Sequence, residues 1–558
     1  MDSVVGLTNG ILRGDTVTAG GGASLLIQSF DSGTFDGIVN LDADITVANG
    51  GTLTVTNGLV IGAGRKVTLA STGNGTQMSF FGAQSLSGAG QVLFGGSASS
   101  GVINGSGPLT IGAGISIRTG TQGGSVSPFT LINQGLISAE TPGKILSISP
   151  TSFTNSGTAQ ATDGTLAITA ASWTNSGTLG VSGSGVLQLG GTFTSAGLGT
   201  INRSGGTINL TGIFDNTGAT FALTAATGSF NLVGGTLRGG TVTAGGGASL
   251  IIPTFLAGTF DGITNLDLDT TVINRATLFV TNSLVLGAGR TITMTSAGND
   301  TVLTFNGAQS LTGLGQVLFG GSASSDTING SGPLTIGPGI SIRTGTQGGT
   351  ISPAKLINQG LISAETPGKI LTISAASFTN TGTAQATDGT LSITSASWTN
   401  SGTLGVSGSA RLQLGGNFTS AGLGTINRSD GTIELLGIMD NTSATFALTA
   451  GTGSFVFRNG TIRGGTVTAS GGAGLSIASF STANLDGVAN LDTDFTVDNG
   501  CTLMVTNGLG IASGRKVTLG SSGNGSSLTF TGPQTLSGAG QVLFGGSGSF
   551  NVINGNAP

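Results

Sequence analysis

The chain has 558 residues, with 105 glycines, 18 basic and 23 acidic residues, a net charge of −5, one cysteine (Cys501) and no histidine. Without histidine or a second thiol, the chain alone cannot form a Ser-His-Asp triad, a histidine-ligated zinc site or an intrachain disulfide. Its scattered basic residues argue against nucleic-acid binding, and no stretch approaches the ~18–20 apolar residues of a transmembrane segment.

Self-comparison reveals a repeat with an offset of 225 residues, so the chain holds roughly two and a half copies. The sixteen residues 131–146 recur unchanged at 356–371, and the two tryptophans, Trp173 and Trp398, are also 225 apart. No insertion or deletion disturbs this register, and no linker is visible. We therefore expect one continuous array. Its predicted segments are 1–11 (the end of a preceding copy), 12–236, 237–461 and 462–558 (a partial third copy).

Each copy contains short alternating runs of apolar and polar residues, such as 52–56 and 165–169, bounded by Gly, Asn and Ser. This period of two is typical of strands. The segments repeat about every 20 residues, which suits either an antiparallel sandwich or a parallel β-solenoid. Strict repetition favours the solenoid, because each coil then contacts only its neighbours. We predict an all-β parallel β-helix with about ten coils per copy, each copy advancing roughly 48 Å.

The densest acidic cluster lies early in each copy and returns twice at the same offset. Stacked carboxylates can ligate calcium or act as an acid/base pair in glycoside hydrolysis. We favour a solvated edge over both, and we expect no catalytic, cofactor or metal site. The calcium candidates are Asp36, Asp42, Asp44, Asp261, Asp267, Asp269, Asp486, Asp492 and Asp494.

Next along the copy, the sequence 140–144 places Glu140 and Lys144 on either side of Thr-Pro-Gly, which predicts a turn closed by an ion pair. Aromatic residues then recur every 20 or 21 residues, with an asparagine two positions later and a glycine two positions after that. We expect a stacked aromatic column, an amide ladder and glycines with positive φ at the corners. The predicted ladder residues are Asn133, Asn155, Asn175, Asn216, Phe153, Trp173, Phe193 and Phe214.

The segments 131–149, 153–158 and 173–189, with their apolar-x-Asn-x-Gly pattern, resemble bacterial β-helix surface proteins of the filamentous-haemagglutinin and autotransporter-passenger type. The resemblance covers about half of each copy. It implies a right-handed parallel β-helix in a secreted adhesin or structural fibre, and it carries no catalytic residues.

We therefore expect a structural or adhesive protein, not an enzyme, located outside the cell or at its surface. It would belong to a long fibre or filament, associate head to tail and bind a surface glycan or receptor. The alternative is a carbohydrate-binding or polysaccharide-cleaving solenoid of the tailspike kind.

Overall fold

The computed structural model describes residues 3–555 as an all-β parallel β-solenoid of about 25 turns, with strands about 22 residues apart per turn. The predicted fold class is confirmed. Residues 1–2 and 556–558, which belong to the predicted segments 1–11 and 462–558, lie outside the described residues.

Each strand buries alternate side chains because successive side chains point to opposite faces. In strand Thr52–Ile61, Leu53, Val55 and Leu59 are fully buried, while the threonines between them reach the surface. Isoleucine, valine, leucine and phenylalanine fill a narrow interior in this way along the described coils. The alternation that predicts strands is therefore also the pattern that forms the core.

The described chain divides into two units, one ending at Thr264 and the other beginning at Asn265. In the first unit, parallel strands stack in three columns. The first column contains Val4–Gly6, Ser24–Ile27, Asp44–Val47, Lys66–Ser71, Gln91–Gly96, Ser116–Thr119, Leu136–Ala139, Thr158–Ala161, Thr178–Val181 and Thr200–Arg203. The second contains Gly10–Arg13, Thr76–Phe80, Ile145–Ile148, Thr165–Ile168, Val186–Leu189, Thr207–Leu210, Phe230–Leu232 and Leu250–Ile252.

The third column of the first unit contains Thr16–Thr18, Gln84–Gly88, Ser152–Asn155, Ser172–Asn175, Thr192–Thr194, Ile213–Asp215, Thr236–Arg238 and Ala257–Asp267, which continues past Thr264. Long bent strands serve both the second and the third column. They are Ser32–Asp42, Thr52–Ile61, Gly101–Ile111 and Gly124–Asn133. A four-residue helix, Ser195–Leu198, begins where Thr194 Oγ1 accepts a hydrogen bond from the Gly197 amide.

The second unit repeats this arrangement. One column contains Thr270–Ile273, Thr291–Ser296, Gln316–Gly321, Ser341–Thr344, Leu361–Ala364, Thr383–Ala386, Thr403–Val406 and Thr425–Arg428. A second contains Thr301–Phe305, Ile370–Ile373, Thr390–Ile393, Arg411–Leu414, Thr432–Leu435, Phe455–Phe457, Leu475–Ile477, Phe495–Asp498, Lys516–Ser521 and Gln541–Gly546.

The third column of the second unit contains Gln309–Gly313, Ser377–Asn380, Ser397–Asn400, Asn417–Thr419, Ile438–Asp440, Thr461–Arg463, Ser527–Phe530 and Val552–Gly555. Long bent strands again serve two columns, and a short 3-10 helix spans Ala421–Leu423. The bent strands are Thr277–Leu286, Asp326–Ile336, Gly349–Asn358, Thr482–Asp492 and Thr502–Ile511.

One face of each unit is interrupted at the same place in the repeat. In the first unit, the first column ends at Thr200–Arg203, and the next strand at that position, Thr220–Leu223, pairs only with Thr241–Ala244. In the second unit, Thr425–Arg428 likewise ends its column, and Thr445–Leu448 begins a new one with Thr466–Ala469. Backbone pairing is thus broken on one face while the neighbouring columns continue.

The copies do not keep to one column. In the first unit, Gly10–Arg13 lies in the second column, and its counterpart 225 residues later, Thr236–Arg238, lies in the third. One copy therefore ends one strand beyond a whole number of coils. Equivalent residues of successive copies consequently move on by one face.

Candidate functional site

The first acidic cluster is neutralised by cations on neighbouring coils. Asp36 accepts hydrogen bonds from Arg13 Nε at 2.7 Å and Asn57 Nδ2 at 2.6 Å. Those bonds, Asn57 first and Arg13 next, lower the pKa of Asp36. Asp42 accepts from Arg65 Nε at 2.7 Å. These carboxylates connect one coil to the next along the solenoid.

The third acid of that cluster, Asp44, accepts a hydrogen bond from the Lys66 amide at 3.1 Å, and its carboxylate lies 3.9 Å from Lys66 Nζ. Its counterpart Asp269 accepts from the Thr291 amide at 2.9 Å, and Asp494 from the Lys516 amide at 3.0 Å.

The other counterparts repeat the arginine pairs. The N–O distances are 2.8 Å for Arg238–Asp261, 2.7 Å for Arg290–Asp267, 2.8 Å for Arg463–Asp486 and 2.7 Å for Arg515–Asp492. Burial alone would raise the pKa of Asp486, but the bonds from Arg463 and Asn507 outweigh it and the pKa is lowered. Within residues 3–555, no group of three or more acidic or cysteine side chains is arranged to hold a metal ion.

The asparagines form a buried chain of amides. Asn133 Nδ2 donates to Asn155 Oδ1 at 2.7 Å, and Asn155 Nδ2 donates to Asn175 Oδ1 at 2.7 Å. Each amide nitrogen also donates to backbone carbonyls, including Thr158 O at 3.1 Å from Asn133. The second unit reproduces these bonds at the same distances through Asn358, Asn380 and Asn400.

Asn216 does not join this chain of amides, which corrects the prediction of a four-membered ladder. Ser195 occupies the ladder position on the intervening coil, and its hydroxyl donates to Asn216 Oδ1. Asn175 Nδ2 donates instead to the carbonyl of Leu198, in the short helix. The helix therefore ends the ladder by supplying a backbone acceptor.

The aromatic column lies in the interior. Trp173 and Phe193 stack with ring centroids 4.3 Å apart, and Phe193 and Phe214 stack at 4.9 Å. Phe153 is the register partner of Trp173 on the preceding coil. All four side chains are buried, and Trp173 Nε1 donates to Gly190 O at 2.8 Å. The column serves packing and offers no ring to a ligand.

The glycines after the ladder asparagines work differently from the prediction. Gly135, Gly157 and Gly177 do not have positive φ angles. A Cβ on Gly157 would lie 2.2 Å from Gly135 O, and one on Gly177 would lie 2.1 Å from Gly157 O. Close approach of successive coils therefore requires these glycines. Only Gly218, two positions after Asn216, has the predicted positive φ, at 69°.

The Pro-Gly turn is also closed differently. Glu140 pairs with Arg118 on the preceding coil, at 2.7 Å, rather than with Lys144. Glu365 and Arg343 repeat the pair at 2.7 Å in the second unit. The prediction of a Glu140–Lys144 pair was wrong because the nearest cation in space lies one coil away, not within the turn.

Two buried carboxyls in the second unit escaped sequence reasoning. Glu434 accepts hydrogen bonds from Arg411, Arg458 and Gln413, each at 2.9 Å. Asp326 is fully buried, and burial raises its pKa to about 7. Both positions differ between copies, since Asn209 and Gly101 occupy them in the first copy, and that difference is the signal that could have revealed them.

An open groove of about 520 Å³ crosses several coils of the second unit. Thr379, Thr399 and Thr419 line its middle, and Lys355 and Asp440 contribute charges. Asp440 accepts from the Thr442 amide at 2.9 Å, and bonds from Thr442 lower the pKa of its carboxyl. This groove can hold an extended polar ligand, with an ionised acid on its lining.

Comparison of the chain with protein-family models, curated proteins and solved structures finds no match. The β-helix class of the resembling surface proteins agrees with the fold. Within the described residues, no helix has the length and apolar character needed to span a bilayer.

Proposed function

We propose that the chain is a structural and adhesive segment of a long extracellular fibre or filament. The observation that carries the proposal is the recurrence of coil-to-coil contacts. Asn133–Asn155–Asn175 in one unit and Asn358–Asn380–Asn400 in the other are joined by the same 2.7 Å amide bonds. Contacts of this kind let each further copy add the same coils.

A solenoid converts chain length into reach, since parallel strands are spaced ~4.8 Å apart. Continuous stacking would give roughly 48 Å per copy and about 120 Å for the whole chain. Buried amide ladders and stacked rings oppose sliding of one coil on the next. Stiffness and span are the properties that such a fibre would supply.

Negative-stain electron microscopy of the purified chain tests this function. We expect rods about 120 Å long, and compact globular particles would contradict the proposal. Immunogold labelling of intact source cells tests the extracellular location, where labelling confined to permeabilised cells would contradict it.

End-to-end association is part of the proposal. Phe94 and Phe319 are fully buried, whereas their counterpart Phe544 is 61% exposed, on a strand that presents an open edge. A coil face of this kind suits a second copy of the chain, because open strand edges pair readily. Sedimentation velocity should show concentration-dependent oligomers, and Phe544→Asp should abolish them. Oligomers that persist in that variant would place the contact elsewhere.

A polysaccharide-cleaving module is the second candidate, favoured by the groove that contains Asp440. Glycosidases use two carboxyl groups, one of which donates a proton. The lowered pKa of Asp440 suits a base or a binding group rather than that proton donor. Release of reducing sugar that disappears in Asp440→Asn would support this function, and release that continues unchanged would contradict it.

A further inference from the structure

We infer that each unit carries a binding site for a neutral polysaccharide chain, on the outer face where the column of strands is interrupted. The inference rests on the proposed adhesive function and names its ligand class. In the first unit, this lattice site is formed by strands Thr158–Ala161, Thr178–Val181 and Thr200–Arg203, together with the residue after each of them. It borders a groove of about 640 Å³.

Outward residues of these three coils stand in register as rows of hydrogen-bonding groups. Gln160 pairs with Gly180 and Gly180 with Asn202, so a glycine lies between two amides. The flanking rows are hydroxyls throughout. They are Thr158, Thr178 and Thr200 on one side, and Thr162, Ser182 and Ser204 on the other.

The central glycine makes the surface concave. A Cβ on Gly180 would lie 2.9 Å from Gln160 Cβ, so a larger residue would both clash and fill the depression. Ala226, from the coil beyond the interruption, also lines the groove. The interruption therefore supplies a boundary that an unbroken sheet face would lack.

The second unit contains the same site, 225 residues later and built from the same residue types. Gln385, Gly405 and Asn427 form its middle row, and its groove measures about 590 Å³. Its hydroxyl rows are Thr383, Thr403 and Thr425, and Thr387, Ser407 and Ser429. Two independent occurrences in separate units show that the arrangement belongs to the repeat and not to one local distortion.

The chemistry of the rows selects the ligand. Amides and hydroxyls both donate and accept hydrogen bonds, so they match a ligand that presents donors and acceptors densely and without charge. A polysaccharide does so along its whole length, whereas an added peptide strand also needs pockets for its side chains. The charge of Arg203 is directed inward, where its guanidinium donates to the carbonyls of Thr227 and Ser229 at 3.2 and 2.9 Å.

The test uses the full chain in native gels containing dextran, mannan, galactan or xyloglucan, with polygalacturonate as the charged comparison. We expect at least one neutral polymer to retard migration. Asn202→Ala combined with Asn427→Ala should weaken retardation about tenfold or more, because both sites lose an exposed amide. Either single variant should lose less, since two linked sites bind with avidity.

The matched control is Asn74→Ala combined with Asn299→Ala, which removes one exposed amide from each unit outside the site. Unchanged retardation is expected for it. No retardation by any neutral polymer, or full retardation of the Asn202/Asn427 variant, would overturn the inference. Rods in the microscope without polysaccharide binding would refute this site alone, whereas globular particles would refute the proposed function.

Discussion

The coils over 186–233 in the first unit and those over 411–458 in the second have the same strand pairing but different outer surfaces. In the first unit, Gln188, Asn209 and Asn231 stand in register, and Asn231 Nδ2 donates to Asn209 Oδ1 at 3.1 Å. Neutral amides therefore satisfy one another across neighbouring coils.

In the second unit, a charged cluster replaces that amide pair. Glu434 stands where Asn209 stood, while Arg411 and Arg458 replace Val186 and Val233. The two arginines hold Glu434, which is only 1% exposed. The comparison teaches that the coil backbone is fixed by its interior, and that outer positions change together when one of them gains a charge.

The interior offers the largest test of this comparison. Phe193 stacks on both Trp173 and Phe214, whereas Phe418 stacks on Trp398 alone, because Met439 replaces the second ring. Phe193→Ala should lower the free energy of unfolding by about 3–5 kcal/mol. Phe418→Ala should cost less by about 0.5–1.5 kcal/mol, since one aromatic contact fewer is lost.

Urea unfolding followed by tryptophan fluorescence measures both losses, because each unit contains one tryptophan. Trp398→Phe leaves Trp173 to report on the first unit, and Trp173→Phe leaves Trp398 to report on the second. A larger loss for Phe418→Ala than for Phe193→Ala would contradict the stacking argument.

A second difference between copies concerns a buried acid. Asp326 accepts from the Ser296 amide at 3.2 Å, and its other oxygen has no partner. The third copy has Asn551 there, which accepts from the Ser521 amide at 3.0 Å and donates to Gly545 O at 2.8 Å. The amide is a permanent counterpart of the protonated acid.

The pH dependence follows from the direction of that pKa shift. Burial raises the pKa of Asp326 from 3.8 to about 7, so stability is greatest below pH 3.8 and falls until the pH passes about 7. Between pH 4 and pH 8, the unfolding free energy reported by Trp398 should fall by about 2–4 kcal/mol from this group. Asp326→Asn should remove that fall, and the exposed control Asp300→Asn should retain it. An equal fall in both variants would exclude Asp326 as its source.

The charged cluster gives a smaller effect with the opposite sign. Burial alone would raise the pKa of Glu434, but the bonds from Arg458 and Gln413 outweigh it and the pKa is lowered. Its contribution is therefore present above pH 4.5 and is lost as the pH falls. Glu434→Ala should cost about 1–3 kcal/mol at pH 7, discounted because both arginines are partly exposed.

The triple variant Arg411→Val, Glu434→Asn and Arg458→Val restores the residues of the first copy. It should recover most of the stability lost in Glu434→Ala, again with Trp398 as the reporter. A triple variant as unstable as the single one would show that the backbone itself differs between the two regions.

Sequence periodicity was enough to predict strands, parallel stacking and most of the amide ladder, because a fixed repeat places equivalent residues on adjacent coils. It could not predict partners that depend on coil register, such as Arg118 for Glu140. It also could not distinguish a glycine required by close approach, such as Gly157, from one required by its φ angle, such as Gly218. The two requirements leave the same residue in the sequence.

The smallest expected effect concerns the acidic cluster that both units share. Asp36 and Asp486 make the same arginine and asparagine bonds in separate units. Because the arginines are 74% and 47% exposed, respectively, Asp36→Ala and Asp486→Ala should each cost less than ~1 kcal/mol. Trp173 and Trp398 report on them respectively, and added salt should shrink both losses. A loss of several kcal/mol that persists in high salt would mean that these carboxylates hold the coils together through more than exposed ion pairs.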